Sequence, residues 1–286
     1  MAVKRIAVCA DDFGLHDGID DAVLALAEQG RLTGVGCLVG GPAWVTGAQR
    51  LAGLDPARID IGLHLDLTEM PLDRRLRRAL PALIAAACAR RLSHTALRAE
   101  VTAQLDRFEQ ALGRPPAYID GHQHVQQLPQ VRDALFDVLA GRRAATRPWL
   151  RCGLRPVGLQ APAGAAAMQA FKPWLIETRG ARAFATRAGR AGLATNRHLL
   201  GVYGFDGDAD RYRRWLRAWL HAAVDGDLLM CHPGQPTPAA DDPIAPARWI
   251  EHEVLAGAAL TQECEAAGVL LMPLSRIVDR PSAPHH

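Results

Sequence analysis

The chain has 286 residues, 49% of them hydrophobic and 22% charged, and 33 basic against 30 acidic residues leave a formal net charge of +3. That length suits one α/β domain with a sizeable core, and the charge balance argues against a surface built for nucleic acid. The six cysteines show no C-x-x-C spacing, so buried thiols are expected rather than a zinc or disulfide framework, and the absence of an apolar leader or bilayer-length run makes a cytoplasmic location the expectation.

In chain order, residues 6–10 read as a strand, and 18–29 as a helix with Ile19, Val23, Leu26 and Ala27 on one stripe and Gly30 as its stop. A second strand spans 34–39, a short helix lies near 43–51, and a third strand covers 59–67. Two helices fall within 72–112, where Leu97, Val101, Leu105, Phe108 and Leu112 recur at helical spacing. A fourth strand is expected at 117–124, a helix at 129–140 and a fifth strand at 149–152. The Ala- and Arg-rich stretch 155–200 divides only into helices at 171–177 and 181–191. A helix at 210–224, a strand at 227–231, a long helix at 244–267 and a closing strand at 269–273 complete the order. Arg74, Arg75, Arg77 and Arg78, and again Arg211, Arg213, Arg214 and Arg217, read as solvated helix faces. About seven alternating strand–helix units imply a parallel sheet covered on both faces, and fit a barrel better than an open sheet. One domain over 1–286 is expected, with a disordered tail from about residue 280.

In such folds the chemistry collects at the C-terminal ends of the strands, and four polar clusters fall there. Asp11-Asp12 follows the first strand directly; both side chains reach one site only if the chain turns, which Gly14 permits. In "GLHLDLT", residues 62–68, His64, Asp66 and Thr68 share a face opposite three leucines. In "YIDGHQHVQQLP", residues 118–129, Asp120, His122 and His124 stand at i, i+2 and i+4, so on a continued strand they project together, and three such groups are costly to bury unpaired. In "DLLMCHPG", residues 227–234, a hydrophobic strand ends in His232. Carboxylates and imidazoles without a cysteine partner form a metal-ligand set that leaves positions open for water and substrate. A helix cap at Asp11-Asp12 and a core histidine at His64 are the structural alternatives. Serine-hydrolase elbows, P-loops and a G-x-G-x-x-G after the first strand are all absent.

"ADDFG" at 10–14, "GLHLDLT", "DGHQHV" at 120–125 and "LMCHPG" at 229–234 together resemble the YdjC-like carbohydrate deacetylases of the ChbG/HpnK type. "ATNRHLLGVYGF", 194–205, looks like that family's substrate-side loop. The resemblance implies an irregular (β/α) barrel of the glycoside hydrolase/deacetylase type and one divalent metal held by Asp12, His64 and His124, with Asp11 as general base. His122 shares the expected strand face with His124 and is the alternative imidazole. Gln126 stands where many relatives carry a third histidine. The implied reaction is hydrolysis of the N-acetyl amide of an amino sugar, either a chitooligosaccharide or a lipid-linked or hopanoid N-acetylglucosamine, with release of acetate. His232 is the candidate acid for the departing amine, and Trp149, Tyr203 or Trp174 the candidate sugar platform. Mg or Zn leads as the metal, with Mn, Co and Ni also suited to Asp and His ligands. Another metal-dependent hydrolase on the same barrel, or a catalytically silent carbohydrate-binding protein, are the rival readings. A homodimer is expected only because it is common among soluble enzymes.

Overall fold

The computed structural model describes residues 3–142, 147–156, 158–159, 180–237 and 242–278. Eight strands alternate with helices: β1 (Lys4–Phe13), α1 (Asp17–Glu28), β2 (Gly34–Cys37), α2 (Trp44–Leu51), β3 (Asp60–Leu65), α3 (Leu80–Cys88), α4 (His94–Leu112), β4 (Tyr118–Gly121) and α5 (Pro129–Ala140). They continue with β5 (Trp149–Leu150), α6 (Arg182–Arg190), β6 (Leu199–Leu200), α7 (Ala209–Ala222), β7 (Leu228–Cys231), α8 (Ala245–Ala256), α9 (Ala259–Ala267), β8 (Val269–Leu271) and α10 (Ser275–Val278). All strand pairs are parallel, in the order β5-β4-β3-β2-β1-β7-β6, with β8 beside the first residues of β1. Among the described residues no ladder joins β5 to β6. A single bridge links Leu150 to Thr195, and the Asn196 amide accepts from Cys152 N at 2.7 Å and donates to the carbonyls of Cys152 and His198. The sheet therefore curls into an irregular barrel with a polar seam.

Two apolar cores hold it. Outside, Ile6, Val8, Val35, Ile61, Leu63 and Ile119 pack under the helices. Inside, Ala7, Cys9, Tyr118, Trp149, Leu228 and Met230 fill the lumen, with the Tyr118 and Trp149 rings stacked at 4.3 Å and 13°. Room for these rings comes from a glycine: a Cβ on Gly62 would lie 2.5 Å from the Tyr118 ring. The Trp149 indole donates to Asp60 at 3.0 Å, and Asp60 also receives Ser275 N and Oγ, which seats Leu274 and Ile277 beneath the lumen. Trp149 thus fills the barrel at the strands' N-terminal end and is no sugar platform.

Several expected boundaries shift. β1 runs on to Phe13, and β4 stops at Gly121. The helix expected at 244–267 is two, broken at Gly257, whose φ of −74° and ψ of −174° leave the helical region. Of the first arginine run, only Arg74–Leu76 is helical, as one 3₁₀ turn. All six cysteines are free, and Cys88 alone is exposed. Among the described residues no helix is long and apolar enough to cross a membrane. The helix expected at 171–177, Trp174 and the tail from about 280 lie outside the described residues.

Because the Tyr118 ring is packed on all sides, Gly62→Ala should lower unfolding stability by about 1–3 kcal/mol, measured by urea denaturation.

Candidate active site

The site is assembled where the backbone departs from regular strand geometry at the polar residues themselves. The β1–β2 register breaks between Ala10 and Phe13, and Asp12 itself adopts a left-handed conformation with φ of 69°. Aspartate tolerates that region better than most residues. The turn therefore starts at Asp12, before Gly14, and brings both carboxylates to the wall of one cavity. Asp20 on α1 braces the turn by accepting from Gly14 N at 2.6 Å, and burial pushes its carboxyl up to about 7.

His64 lies within β3, whereas Asp66 lies beyond it. Asp66 accepts from the backbone N–H groups of Thr68, Glu69 and Met70 and so caps the following loop; it does not share the site with His64. After β4 the chain enters a 3₁₀ segment, His122–Gln127, in which Gln123 (φ 53°) and His124 (φ 61°) are left-handed. Asp120, His122 and His124 consequently do not project from one strand face. Asp120 sits behind His64, Oδ1 to Nδ1 2.6 Å, while His122 Nδ1 meets Asp12 Oδ1 at 2.9 Å. His124 lines the same cavity, but its buried Nδ1 has no hydrogen-bond partner among the described residues. The Gln126 amide donates to the Arg151 carbonyl at 3.1 Å.

Each adjacent carboxylate has its own guanidinium. Arg151 forks Asp11, with Nη1–Oδ1 at 2.6 Å and Nη2–Oδ2 at 2.9 Å, and its Nη1 also lies 3.0 Å from Asp120 Oδ2. Arg248 donates from Nη2 to Asp12 Oδ2 at 2.7 Å and from Nε to Asp242 at 2.5 Å. Burial alone would raise the Asp11 pKa, yet Arg151, with His64 and His232, holds it at about 2. Burial likewise opposes ionisation of Asp12, but Arg248 and His122 keep it well below the usual carboxylate range. His64 is pushed down by burial and up by Asp120 and Asp11, and the carboxylates win, at about 10. Burial prevails at His232, which falls to about 4, and also at His124, where Arg151 adds to the lowering.

His232 directly follows β7 with Nε2 3.7 Å from Asp11 Oδ2, and the Phe205 ring meets its ring edge-on at 5.0 Å. Its backbone N–H donates to Glu251 Oε2 at 2.6 Å, while Tyr203 OH donates to Oε1 at 2.7 Å. Burial raises Glu251 to about 7. Tyr203 borders the cavity with its hydroxyl committed to Glu251.

Asp12, His64 and His122 each offer one atom, all within 4.8 Å of one another. Asp12 divides its oxygens: Oδ1 faces His64 Nε2 (3.4 Å) and His122, and Oδ2 faces Arg248. His64 turns Nε2 inward because Nδ1 is held by Asp120, the outer contact that orients a ligating imidazole. One carboxylate and two imidazoles fit a divalent metal. Asp11, His64 and Asp120 form a second close group, but Arg151 occupies both Asp11 oxygens. The surrounding cavity, about 910 Å³, has walls that include Leu15, Met70, Leu80, Val202 and Ile244.

Sequence reasoning brought Asp11, Asp12, His64, His122, His124 and His232 to this cavity and missed Arg151, Arg248, Glu251 and the bracing role of Asp20. Arg151 carried a signal, since it directly follows the buried strand β5. Arg248 and Glu251 lie three residues apart on α8 and carried none.

Residues 5–266 match the family described as YdjC-like protein. A human carbohydrate deacetylase is 32% identical over 254 residues, covering 82% of this chain and 76% of the relative. A chitooligosaccharide deacetylase of Serratia marcescens is 34% identical over 142 residues, 45% of this chain and 53% of that protein. Among solved structures, an Enterococcus faecalis protein provisionally named for cellobiose-phosphate cleavage superposes with a TM-score of 0.71 at 16% identity, over 97% of this chain and all of that one. A peptidoglycan N-acetylglucosamine deacetylase superposes at 0.52 with 11% identity, over 97% of this chain and 89% of that one. At those identities both show the fold alone, a barrel shared with deacetylases.

Two outcomes check the site. Asp120→Asn should weaken metal affinity about 10–100-fold by freeing the His64 ring, measured by calorimetric titration. Glu251, raised in the folded protein, contributes stability that is fully present below its unfolded pKa and lost as pH rises towards about 7. Glu251→Gln should therefore gain stability relative to the parent chain between about pH 4.5 and 7, and the difference should level off above that, as read from urea midpoints.

Proposed function

Because the chain belongs to the YdjC-like family of carbohydrate deacetylases, we propose that it hydrolyses the N-acetyl amide of an amino sugar at this cavity, releasing acetate. The observation that carries this reading is the division of labour between Asp11 and Asp12: one oxygen of Asp12 is turned towards two imidazoles, while Asp11, beside it, is ionised and free of them except at 4.0 Å from His64. Asp12, His64 and His122 would hold the metal; His122 is preferred to His124 because its Nδ1 meets the same Asp12 oxygen that faces His64. A divalent cation there supplies Lewis acidity toward the amide carbonyl and the attacking water.

Asp11 accepts the proton of that water as general base, and Arg151 keeps the carboxylate ionised and fixed in direction. His232, neutral at pH 7 because burial disfavours its charge, is not a reservoir of protons. It takes the proton from Asp11 across the 3.7 Å gap and delivers it to the amine as the C–N bond breaks. Glu251 holds the His232 backbone while this happens.

The cavity walls favour an apolar aglycone over a second sugar ring. Leu15, Met70, Leu80, Val202 and Ile244 line it, and Tyr203 has its hydroxyl engaged elsewhere. A lipid-linked or hopanoid N-acetylglucosamine is therefore preferred to a soluble chitooligosaccharide as substrate.

Acetate release from N-acetylglucosaminyl lipids should require metal and stop with chelator, and activity that survives complete metal removal would overturn the mechanism. Asp12→Asn should lose metal, whereas Asp11→Asn should keep it and lose about 10²–10⁴ in kcat, shown by metal content beside turnover. An N-acetylglucosaminyl lipid should exceed chitobiose in kcat/KM by at least about tenfold, as a buried apolar tail predicts.

A further inference from the structure

At one side of the same cavity, His16 and Asp242 lie beside Arg248, which links them to Asp12. His16 caps α1: its Nδ1 accepts from Ile19 N at 3.3 Å, so the ring proton sits on Nε2. That Nε2 is buried without a hydrogen-bond partner among the described residues, 3.6 Å from Asp242 Oδ2. Arg248, with only 4% of its side chain exposed, spends Nε on Asp242 and Nη2 on Asp12, and its buried Nη1 likewise has no partner. All three residues line the cavity. A buried donor left unmade is costly, and two such donors, on residues that both contact Asp242 at the cavity wall, are suited to orient a polar ligand.

We propose that His16, Asp242 and Arg248 form a subsite that seats a hydroxyl of the amino sugar next to the metal position. A hydroxyl both accepts and donates, which matches a wall that offers unpaired N–H donors together with the Asp242 carboxylate. An anionic group fits poorly, because Asp242 and Asp12 place two carboxylates against one guanidinium. The subsite would fix the ring so that its N-acetyl group faces Asp11, and it rests on the amino-sugar reading above.

The test uses binding, which does not depend on turnover. In the metal-loaded Asp11→Asn chain, calorimetry compares methyl N-acetylglucosaminide with its 3-, 4- and 6-deoxy forms, with and without His16→Ser. Serine retains the helix cap, so the fold is kept, and equal melting temperature and metal content confirm it. His16→Ser should weaken binding of the parent sugar about three- to tenfold, and one deoxy sugar should lose its penalty in that variant. Unchanged affinity on His16→Ser, or deoxy penalties that all persist undiminished, overturns the subsite; acetate release by the unaltered chain then leaves the deacetylase reading standing. Tighter binding of a phosphorylated sugar through His16 overturns the hydroxyl assignment. Failure of both chains to bind any of these sugars, with no acetate released, removes the deacetylase reading and the subsite together.

Discussion

Two adjacent carboxylates buried at the mouth of a barrel are the constraint on which the rest of the site depends. Side by side and dry, Asp11 and Asp12 repel each other, and isolated ions in such surroundings neutralise themselves. Here each is met by its own cation, Arg151 on Asp11 and Arg248 on Asp12, so both remain ionised. The two cations also separate the roles. Arg151 contacts both oxygens of Asp11 and fixes the direction of that carboxylate, whereas Arg248 takes one oxygen of Asp12 and leaves the other to the imidazoles.

The barrel supplies those cations from distant points of the chain. Arg151 follows β5, and Arg248 rides on α8, whose Glu251 also holds the backbone of His232. One helix thus contacts both Asp12 and His232 at the cavity. Below it, the Tyr118–Trp149 stack and the α10 residues fill the lumen, and the cavity lies where β1, β3 and β7 lead out of the barrel.

Much of the fold was legible because its signals are local. Alternating strand and helix patterns placed most elements to within a few residues, and α5 at Pro129–Ala140 matched its expected bounds. Two departures at the site share a cause. The strand expected at 117–124 assumed that period-two geometry continues through His122 and His124, but left-handed φ at Gln123 and His124 ends it at Gly121. Gly14 was expected to make the turn that Asp12 already begins. In both places the backbone leaves the regular pattern at the functional residues themselves, where strain is tolerated because surrounding contacts hold it.

The sequence by itself determined the parallel α/β class, the four strand-end clusters and, through their ordered motifs, the family, because strand-end residues and apolar periodicity are properties of short segments. Only the tertiary structure sets His122 against the Asp12 oxygen that faces His64, and brings Asp120, Arg151, Arg248 and Glu251 to that cavity. Those partners lie 56 to 236 residues apart, except Glu251, which is 19 residues from His232. No local pattern encodes a neutralising contact made across a barrel, so charge compensation became visible only once the chain was folded.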